Sequence, residues 1–278
     1  MKQKIKIRVK DAVTNLLGNH DLKIFLPDSS NYITIGRGSI KTLSKVSLFN
    51  SLPANIKETE LLKIGRFCEF AVCKVMLAGE HLHDSPINIR FASLPLLNHI
   101  GRKNEVPNAY SQISKAGITE IGNNVVISMS AIVLSGSKVP DGSVLAANAV
   151  FRGRYDTPNL IYAGMPAKAI RPRNIDSQLD WWNFSVTNIA EFMLSGSTPN
   201  SITRYQSGVT VVCSSTDNVG VMQIKQIIGL EVDSKFIPMK DAPRAVLAYF
   251  NQLKSEEHQQ DAIINLEIDT ELFGGGTI

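Results

Sequence analysis

The chain has 278 residues and a mass of 30.5 kDa, enough for two modest domains or one large one. Its 29 basic and 25 acidic residues give a net charge of +4 without a dense basic stripe, which disfavours nucleic-acid binding. No stretch approaches the roughly 18 consecutive apolar residues of a transmembrane helix, so we expect no integral membrane segment. Cys68, Cys73 and Cys213 form no paired framework and favour a reduced, cytoplasmic compartment.

Residues 1–32 are predicted to form a lead-in of strands. Two short strand-like pieces, Lys4–Val9 and Leu22–Leu26, are separated by a Gly-Asn-His-Asp turn signal. The first residues alternate charged and aliphatic side chains, unlike the unbroken apolar run of a signal peptide. We therefore expect the main domain to begin after this lead-in, at residue 33.

The stretch from Thr119 to Phe151 repeats with a period of six residues. One apolar residue recurs at every sixth position: Ile121, Ile127, Val133, Val139, Leu145 and Phe151. A small or β-branched residue follows four places after each of the first five: Val125, Ala131, Ser137, Ser143 and Ala149. Helices need apolar steps of three and four, and ordinary strands need steps of two. A period of six predicts a parallel β-helix, with the apolar residue inside and the small residue at a tight corner.

The repeat is less regular before residue 119. Ile33–Ser39 is a first plausible unit, and the register is clear again at Ile64. The step from Phe70 to Val75 is five residues instead of six, so we expect a distorted corner between them. Residues 85–118 leave the repeat with prolines and polar residues, and a loop of this length usually has a function.

The pattern changes again after residue 174. Residues 175–194 have helical spacing, with an apolar face that includes Trp182 and Phe192. We expect residues 175–200 to provide a helix and linker that cover the C-terminal coil of the β-helix, whose stacked core would otherwise be exposed. Residues 201–278 are predicted to form a separate small α/β module, and we expect residues 209–278 to be used for assembly or acceptor docking.

Motifs in and around the repeat narrow the fold further. In chain order they are Ile-Gly-Arg-Phe-Cys at 64–68, His-Leu-His-Asp at 81–84, Ile-Gly-Asn-Asn-Val-Val-Ile at 121–127, Asp-Gly-Ser-Val-Leu-Ala-Ala-Asn-Ala-Val at 141–150 and Gly-Met-Pro-Ala-Lys at 164–168. Together they resemble the hexapeptide-repeat acyltransferases, and within them the xenobiotic and polysaccharide acetyltransferase branch. The resemblance covers residues 33–173.

This resemblance implies a mainly β fold, with a left-handed parallel β-helix over residues 33–174, followed by the C-terminal helix and the small α/β module. It implies a homotrimer that uses acetyl-CoA as co-substrate and transfers the acetyl group directly. It also implies that the excursion at 85–118 reaches over the acceptor cleft, often beside a neighbouring subunit.

His81 is the expected catalytic residue. Acyl transfer to a hydroxyl needs a base near neutral pH, and an imidazole is well suited to this role. The family's His-x-x-Asp histidine plays that part and carries over onto His81, with Asp84 in the acidic place. Either Asp84 or Glu80 would hold the far ring nitrogen, or Asp84 would shape the turn. His83 is the competing base.

The neighbouring histidines also raise the alternative of a metal site. The γ-class carbonic anhydrases have the same β-helical shape and hold zinc with histidines from adjacent coils and chains. A zinc site needs at least about three protein ligands. Only His99 is near enough to join His81 and His83, because residues 119–151 contain no histidine. We therefore expect no metal.

The resemblance implies a donor groove between coils of two subunits, where main-chain groups hold the pantetheine arm. The positions that carry over are Ser128, Ala146 and Ala147 for the arm, and Lys168 with Arg171 or Arg173 for the coenzyme A phosphates. The chain departs from the family at residues 126–128, where Val-Ile-Ser replaces the common Trp-Ile-Gly. An aromatic wall is lost, and Ser128 adds a Cβ where the backbone usually approaches the ligand.

The leading prediction is an acetyl-CoA-dependent O-acetyltransferase that acts on a sugar or polysaccharide hydroxyl. One alternative is an antibiotic O-acetyltransferase of the chloramphenicol or streptogramin type. Another is an inactive β-helix scaffold or binding protein, which the altered residues at 126–128 and the short coil favour. The additional C-terminal residues favour the saccharide acceptor, because resistance enzymes usually end soon after the β-helix.

Overall fold

The computed structural model describes residues 3–8, 20–26, 31–40, 45–50, 60–77, 80–81, 113–114, 117–175, 179–205, 209–218, 221–232 and 234–238. The strands are β1 (Gln3–Arg8), β2 (Asp21–Phe25), β3 (Tyr32–Ile35), β4 (Val46–Asn50), β5 (Glu60–Ile64), β6 (Glu69–Phe70), β7 (Cys73–Leu77), β8 (Glu80–His81), β9 (Ile113–Ser114), β10 (Thr119–Ile121), β11 (Val126–Ile127), β12 (Ile132–Val133), β13 (Lys138–Val139), β14 (Val144–Leu145), β15 (Val150–Phe151), β16 (Leu160–Ala163), β17 (Lys168–Pro172), β18 (Val209–Asn218), β19 (Val221–Val232) and β20 (Lys235–Pro238). The helical elements are a 3-10 helix (Trp181–Asn183) and helix α1 (Val186–Ser195).

The short strands stack as the three faces of a coil. Face 1 contains β3, β5, β10 and β13; face 2 contains β6, β11, β14 and β16; face 3 contains β4, β7, β12 and β15. Each strand pairs in parallel with the strand of the same face in the next coil. We number the coils so that β5–β7 form coil 2, β10–β12 coil 3 and β13–β15 coil 4, with β16 in coil 5. The predicted fold class is confirmed: the protein is mainly β and is built on a parallel β-helix.

The six-residue period fixes both the core and the corners. Each of the six apolar positions predicted to point inward is at most 2% exposed, and each of the five small positions at most 1%. The residue before each small one has a left-handed backbone, with φ from 53° to 71°: Asn124, Ser130, Gly136, Gly142 and Asn148. Glycine and asparagine tolerate this conformation best, so they recur where the chain turns.

The irregular step predicted between Phe70 and Val75 is present. Phe70 pairs with Ile127 and Val75 pairs with Val133, so a five-residue step lies beside a six-residue step. No residue of this shortened corner has a left-handed backbone. Val72 occupies it and is 62% exposed.

Strands from both ends of the sequence join faces 1 and 3 into one sheet. β2 pairs with β3 of face 1, β1 pairs with β4 of face 3, and the hairpin β18–β19 lies between them, pairing with β2 and β1. The hairpin thus satisfies two strand edges that would otherwise be open. The expected separate module over 201–278 is not matched by these strands. The helix predicted at 242–253 and the strand at 262–268 lie outside the described residues.

The C-terminal end of the core is covered by aromatic side chains. The ring of Phe151, in the last inward position, lies 5.5 Å from that of Tyr155 and 5.0 Å from that of Tyr162, centroid to centroid. β17 folds back antiparallel on β16 beside them. The coil therefore closes with residues of its own final turn.

The prediction that the segment after residue 174 covers this end is wrong. The segment 179–205 packs on coils 1 and 2, where the buried Arg37 donates through Nη2 to the carbonyls of Trp182 (3.0 Å) and Phe184. Arg66 donates to the side chain of Asn183 (2.8 Å). A buried guanidinium needs several acceptors, and these carbonyls supply them at the opposite end from the one expected.

Helix α1 is also shorter than the predicted 175–194. It begins after Ser185, whose Oγ accepts from the backbone N–H of Asn188 at 3.2 Å. The backbone N–H of Ser185 donates to the carbonyl of Thr203 (2.7 Å), which holds the chain extended just before the helix.

Within the described residues, no helix is long and apolar enough to cross a membrane.

Candidate active site

The sequence-predicted donor residues meet at the edge between faces 2 and 3, which we call the 2–3 corner. Its described segments are 71–72 in coil 2, 128–130 in coil 3, 146–148 in coil 4 and 164–166 in coil 5. They stack through the main chain: Ser130 donates to Val72 at 2.7 Å, and Asn148 donates to Met129 at 3.0 Å. Ser128, Ala146 and Ala147 therefore lie along one edge of the prism.

Apolar side chains line this corner. Val72 is 62% exposed, Met129 61% and Met165 74%, and Ala147 is exposed between the two methionines. Neighbouring coils are separated by about 4.8 Å, so the row from coil 2 to coil 5 is about 14 Å long. The corner is thus an extended apolar ledge.

The ledge also presents main-chain polar groups. The N–H groups of Ser128 and Ala146 are used inside the coil, bonding to Leu145 (3.0 Å) and Tyr162 (2.9 Å). Within the described part of the chain, the N–H groups of Met129 and Ala147 have no such partner. Sequence reasoning found Ala147 but missed Met129. The signal was available, because Met129 occupies the same place in its six-residue unit as Ala147.

Basic side chains follow the last turn of this corner. Lys168 begins β17 two residues after Pro166, and both it and Arg171 are exposed. Arg173 is half-buried and donates to the carbonyl of Gly142 at 2.7 Å, on a different corner of the prism; its burial lowers its pKa. Of the two predicted phosphate arginines, Arg171 is the one left available beside Lys168.

His81 lies at the other end of face 3. β7 begins at the 2–3 corner and ends at Leu77; His81 follows in β8 and pairs with Ile113 of β9 at the root of the excursion. The structure describes its backbone; its side chain, like all of His83, Asp84 and His99, lies outside the described residues. Within one chain, face 3 therefore separates His81 from the predicted donor residues.

The outward positions differ strongly between faces. On faces 2 and 3 of coils 3 to 5 they are half-buried and apolar: Val126, Val144, Ile161, Ile132 and Val150. On face 1 the corresponding row is charged: Lys63, Glu120, Lys138 and Arg154. In coils 3 to 5 the two faces that flank the 2–3 corner are therefore apolar, whereas in coil 2 they present the exposed Glu69 and Lys74.

The cysteines do not supply a nucleophile. Burial raises the pKa of Cys68, Cys73 and Cys213 to about 12, and a thiol in that state is unreactive at neutral pH. Cys68 instead fills a corner and donates to the carbonyl of Gly122 (3.0 Å). Among the described residues, no group of three His, Cys, Asp or Glu side chains could hold a metal ion.

Comparison with known proteins connects this architecture to a family. No family model matches the chain. A probable macrolide acetyltransferase of Lysinibacillus sphaericus is 33% identical over 132 residues, which are 45% of this chain and 70% of that protein. The chain belongs to the hexapeptide-repeat acetyltransferase family.

Two further comparisons have lower sequence identity. A chloramphenicol acetyltransferase of Morganella morganii is 28% identical over 145 residues; the match spans 66% of that relative's length, just under two thirds, and 49% of this chain. The structure of a maltose O-acetyltransferase from Clostridium difficile 630 has 16% identity and a TM-score of 0.32, covering 59% of this chain and 75% of that one. The parallel β-helix implied by the motifs is present in the described strands, and its left-handed sense stays a prediction from the resemblance.

Proposed function

We propose that the protein is an acetyl-CoA-dependent O-acetyltransferase that acts on a saccharide hydroxyl as a homotrimer in the cytoplasm. The observation that carries the proposal is the 2–3 corner, an apolar ledge at which the main-chain N–H groups of Met129 and Ala147 bond to no main-chain group of another described residue. The exposed Lys168 lies near its end, and Arg171 lies further along β17. The pantetheine arm of coenzyme A is long, largely apolar and contains amides, and it ends at phosphates. An apolar ledge with unbonded main-chain N–H groups and a basic end supports binding of such an arm.

In the proposed reaction the imidazole of His81 accepts the proton of the acceptor hydroxyl. The hydroxyl oxygen attacks the thioester carbonyl, so that a C–O bond forms and the C–S bond breaks. The proton then passes from the imidazolium to the departing thiolate, which leaves as free coenzyme A. Asp84 is proposed to orient His81. The unreactive, buried cysteines support direct transfer without an acyl-enzyme on sulfur.

The active site is proposed to combine two subunits. The donor ledge and His81 lie at opposite ends of face 3, and in coils 3 to 5 the faces beside the ledge are apolar. Packing these faces against a neighbour would bury the apolar positions and bring the neighbour's His81 to the ledge. If the threefold axis runs parallel to the coil axis, equivalent coils lie at the same height. The thioester would then lie at the height of coil 2, beside Val72.

A second candidate acceptor is an antibiotic hydroxyl. The names of the curated relatives favour it, since they include chloramphenicol and macrolide acetyltransferases. Both candidates use the same donor ledge and the same base. They differ only in the molecule that presents its hydroxyl to His81.

The test is thiol release from acetyl-CoA by the full-length protein, with saccharides or with chloramphenicol as acceptors. We expect saccharides to accelerate release, and His81→Ala to abolish the acceleration. Faster thiol release with chloramphenicol but with no saccharide would support the antibiotic acceptor instead. Background hydrolysis with every acceptor would contradict both and favour a scaffold without turnover.

A further inference from the structure

A groove lies along face 1, on the side of the prism away from the donor ledge. It has a volume of about 350 Å³ and runs from Lys63 in coil 2 to Tyr155 beyond coil 4. Gly122, Asn123 and Asp141 form part of its floor. The volume is near the lower end of the range for small-molecule sites, about 300–1,000 Å³.

Most charged side chains of the groove are already compensated. Lys138 pairs with Asp156 at 2.5 Å, and Glu120 pairs with Arg154, which stands next to the groove. Asp141 accepts from both the backbone and the side chain of Asn123, at 2.7 and 3.2 Å. Lys63, which is exposed, forms no ion pair with another described residue.

This pattern indicates the chemistry of a ligand. An anion would meet the carboxylates of Glu120, Asp141 and Asp156, and a cation would meet Lys63 and Lys138. A neutral polyhydroxyl ligand can instead donate to the carboxylates and accept from the ammonium groups. Tyr155, 42% exposed at one end, offers a ring face to the apolar side of such a ligand.

One edge of the groove is connected along the chain to the strand pair that contains His81. The chain returns from the excursion through β9 and enters face 1 at Thr119, and His81 pairs with β9 at the same root. Glu120, in the groove, is the next residue along β10. Thr119, at the start of face 1, therefore follows five residues after Ser114, the end of the strand that pairs with His81.

We propose that the face 1 groove binds a neutral oligosaccharide and holds the acceptor chain while one of its hydroxyls reacts. The inference rests on the proposed function and extends it, because it names the acceptor as a saccharide of several residues. The groove spans about three coil spacings, or roughly 14 Å. It is therefore too long for a single sugar ring.

Saturation-transfer NMR on the full-length protein without acetyl-CoA tests the binding directly. The probes are glucan, galactan and mannan pentasaccharides, glucose, and an acidic oligosaccharide of similar length. We expect at least one neutral pentasaccharide to bind, and glucose and the acidic chain to bind much more weakly. Lys63→Ala and Asp156→Ala should each raise its dissociation constant about tenfold, since each removes a hydrogen bond to a charged group. Lys235→Ala, on the exposed strand β20, is the matched control and should change nothing.

Kinetics separate this inference from the proposed function. With an active pentasaccharide acceptor, the groove variants should raise the KM for that acceptor and leave the KM for acetyl-CoA unchanged. Three results would refute the proposed groove site. They are no binding of any neutral pentasaccharide, tighter binding of the acidic oligosaccharide, and binding that is unchanged in the double variant Lys63→Ala/Asp156→Ala. If the wild type releases thiol and the groove variants release it with the same KM for the acceptor, the groove proposal is refuted and the proposed acetyltransferase function stands.

Discussion

Face 1 and faces 2 and 3 are built from the same six-residue unit, yet they present opposite surfaces. Their inward residues are equally buried aliphatic or aromatic side chains. In coils 3 and 4 their outward residues are charged on face 1, as at Glu120 and Lys138, and apolar on face 2, as at Val126 and Val144. Inward positions thus determine the coil, and outward positions determine what each face contacts. In our account face 1 contacts acceptor and solvent, while faces 2 and 3 contact donor and neighbouring subunits.

The largest expected effect concerns the residue that links the two surfaces. His81→Ala should lower turnover by about 10² to 10⁴, the usual contribution of a general base, with little change in coenzyme A binding. The measurement is thiol release at saturating acetyl-CoA. His83→Ala is the matched control and should retain activity; the reverse result would assign the base to His83.

The next effect tests the contrast between faces directly. Val144→Glu should weaken self-association on the order of 100-fold or more, because a carboxylate would be buried without a partner. Lys63→Glu places the same side chain on face 1 and should leave the assembly unchanged. Mass measurement in solution over a dilution series distinguishes the two. A wild type that is fully active as a stable monomer would refute the trimer.

A pH effect is expected where face 1 joins the terminal strands. His20 is buried beside β2, and this burial lowers its pKa from 6.5 to about 4. The unfolded chain therefore binds a proton at higher pH than the folded one. The free energy of unfolding therefore includes the full contribution of the neutral imidazole above pH 6.5. This contribution, on the order of 3 kcal/mol, is lost as the pH falls towards 4. In His20→Gln, the free energy of unfolding measured in urea should change less between pH 6.5 and 4 than in the wild type. The same pH dependence in both proteins would rule out His20 as the cause.

The smallest expected effect lies at the basic end of the ledge. Lys168→Ala should raise the dissociation constant of coenzyme A by about threefold to tenfold, since an exposed phosphate contact is worth roughly 1 kcal/mol. Turnover at saturating donor should not change, because such a contact holds ground and transition states alike. Calorimetric titration checks the constant, with Lys235→Ala as control. An unaltered constant would remove Lys168 from the donor site.

Sequence reasoning succeeded where a short-range rule applies. The inward set from Ile121 to Phe151 follows from the six-residue period, and the short corner at Val72 follows from a missing residue. The same counting places Ser128, Ala146 and Ala147 on one edge. The same counting would also have found Met129, which occupies the place of Ala147 in its own unit; the folded coil adds only which main-chain N–H groups of this edge are already bonded.

Contacts between distant segments could not be predicted in this way. Arg37 binds the carbonyl of Trp182 across 145 positions of sequence, and nothing in either segment's own pattern indicates the pairing. The hairpin β18–β19 fits between β2 and β1 because both offer a free edge. Such edges become visible only when the strands have been placed.

The central claim is that one subunit's donor ledge works with the neighbouring subunit's His81, and mixed trimers test it most directly. One inactive chain carries His81→Ala, and the other carries Ala147→Trp to block the ledge. Random mixing should restore about one quarter of wild-type thiol release, because each mixed trimer of either composition contains one site with both functional parts. Recovery at that level, absent from either variant alone, is the predicted result. No recovery despite proven exchange of subunits would show that each site belongs to a single chain.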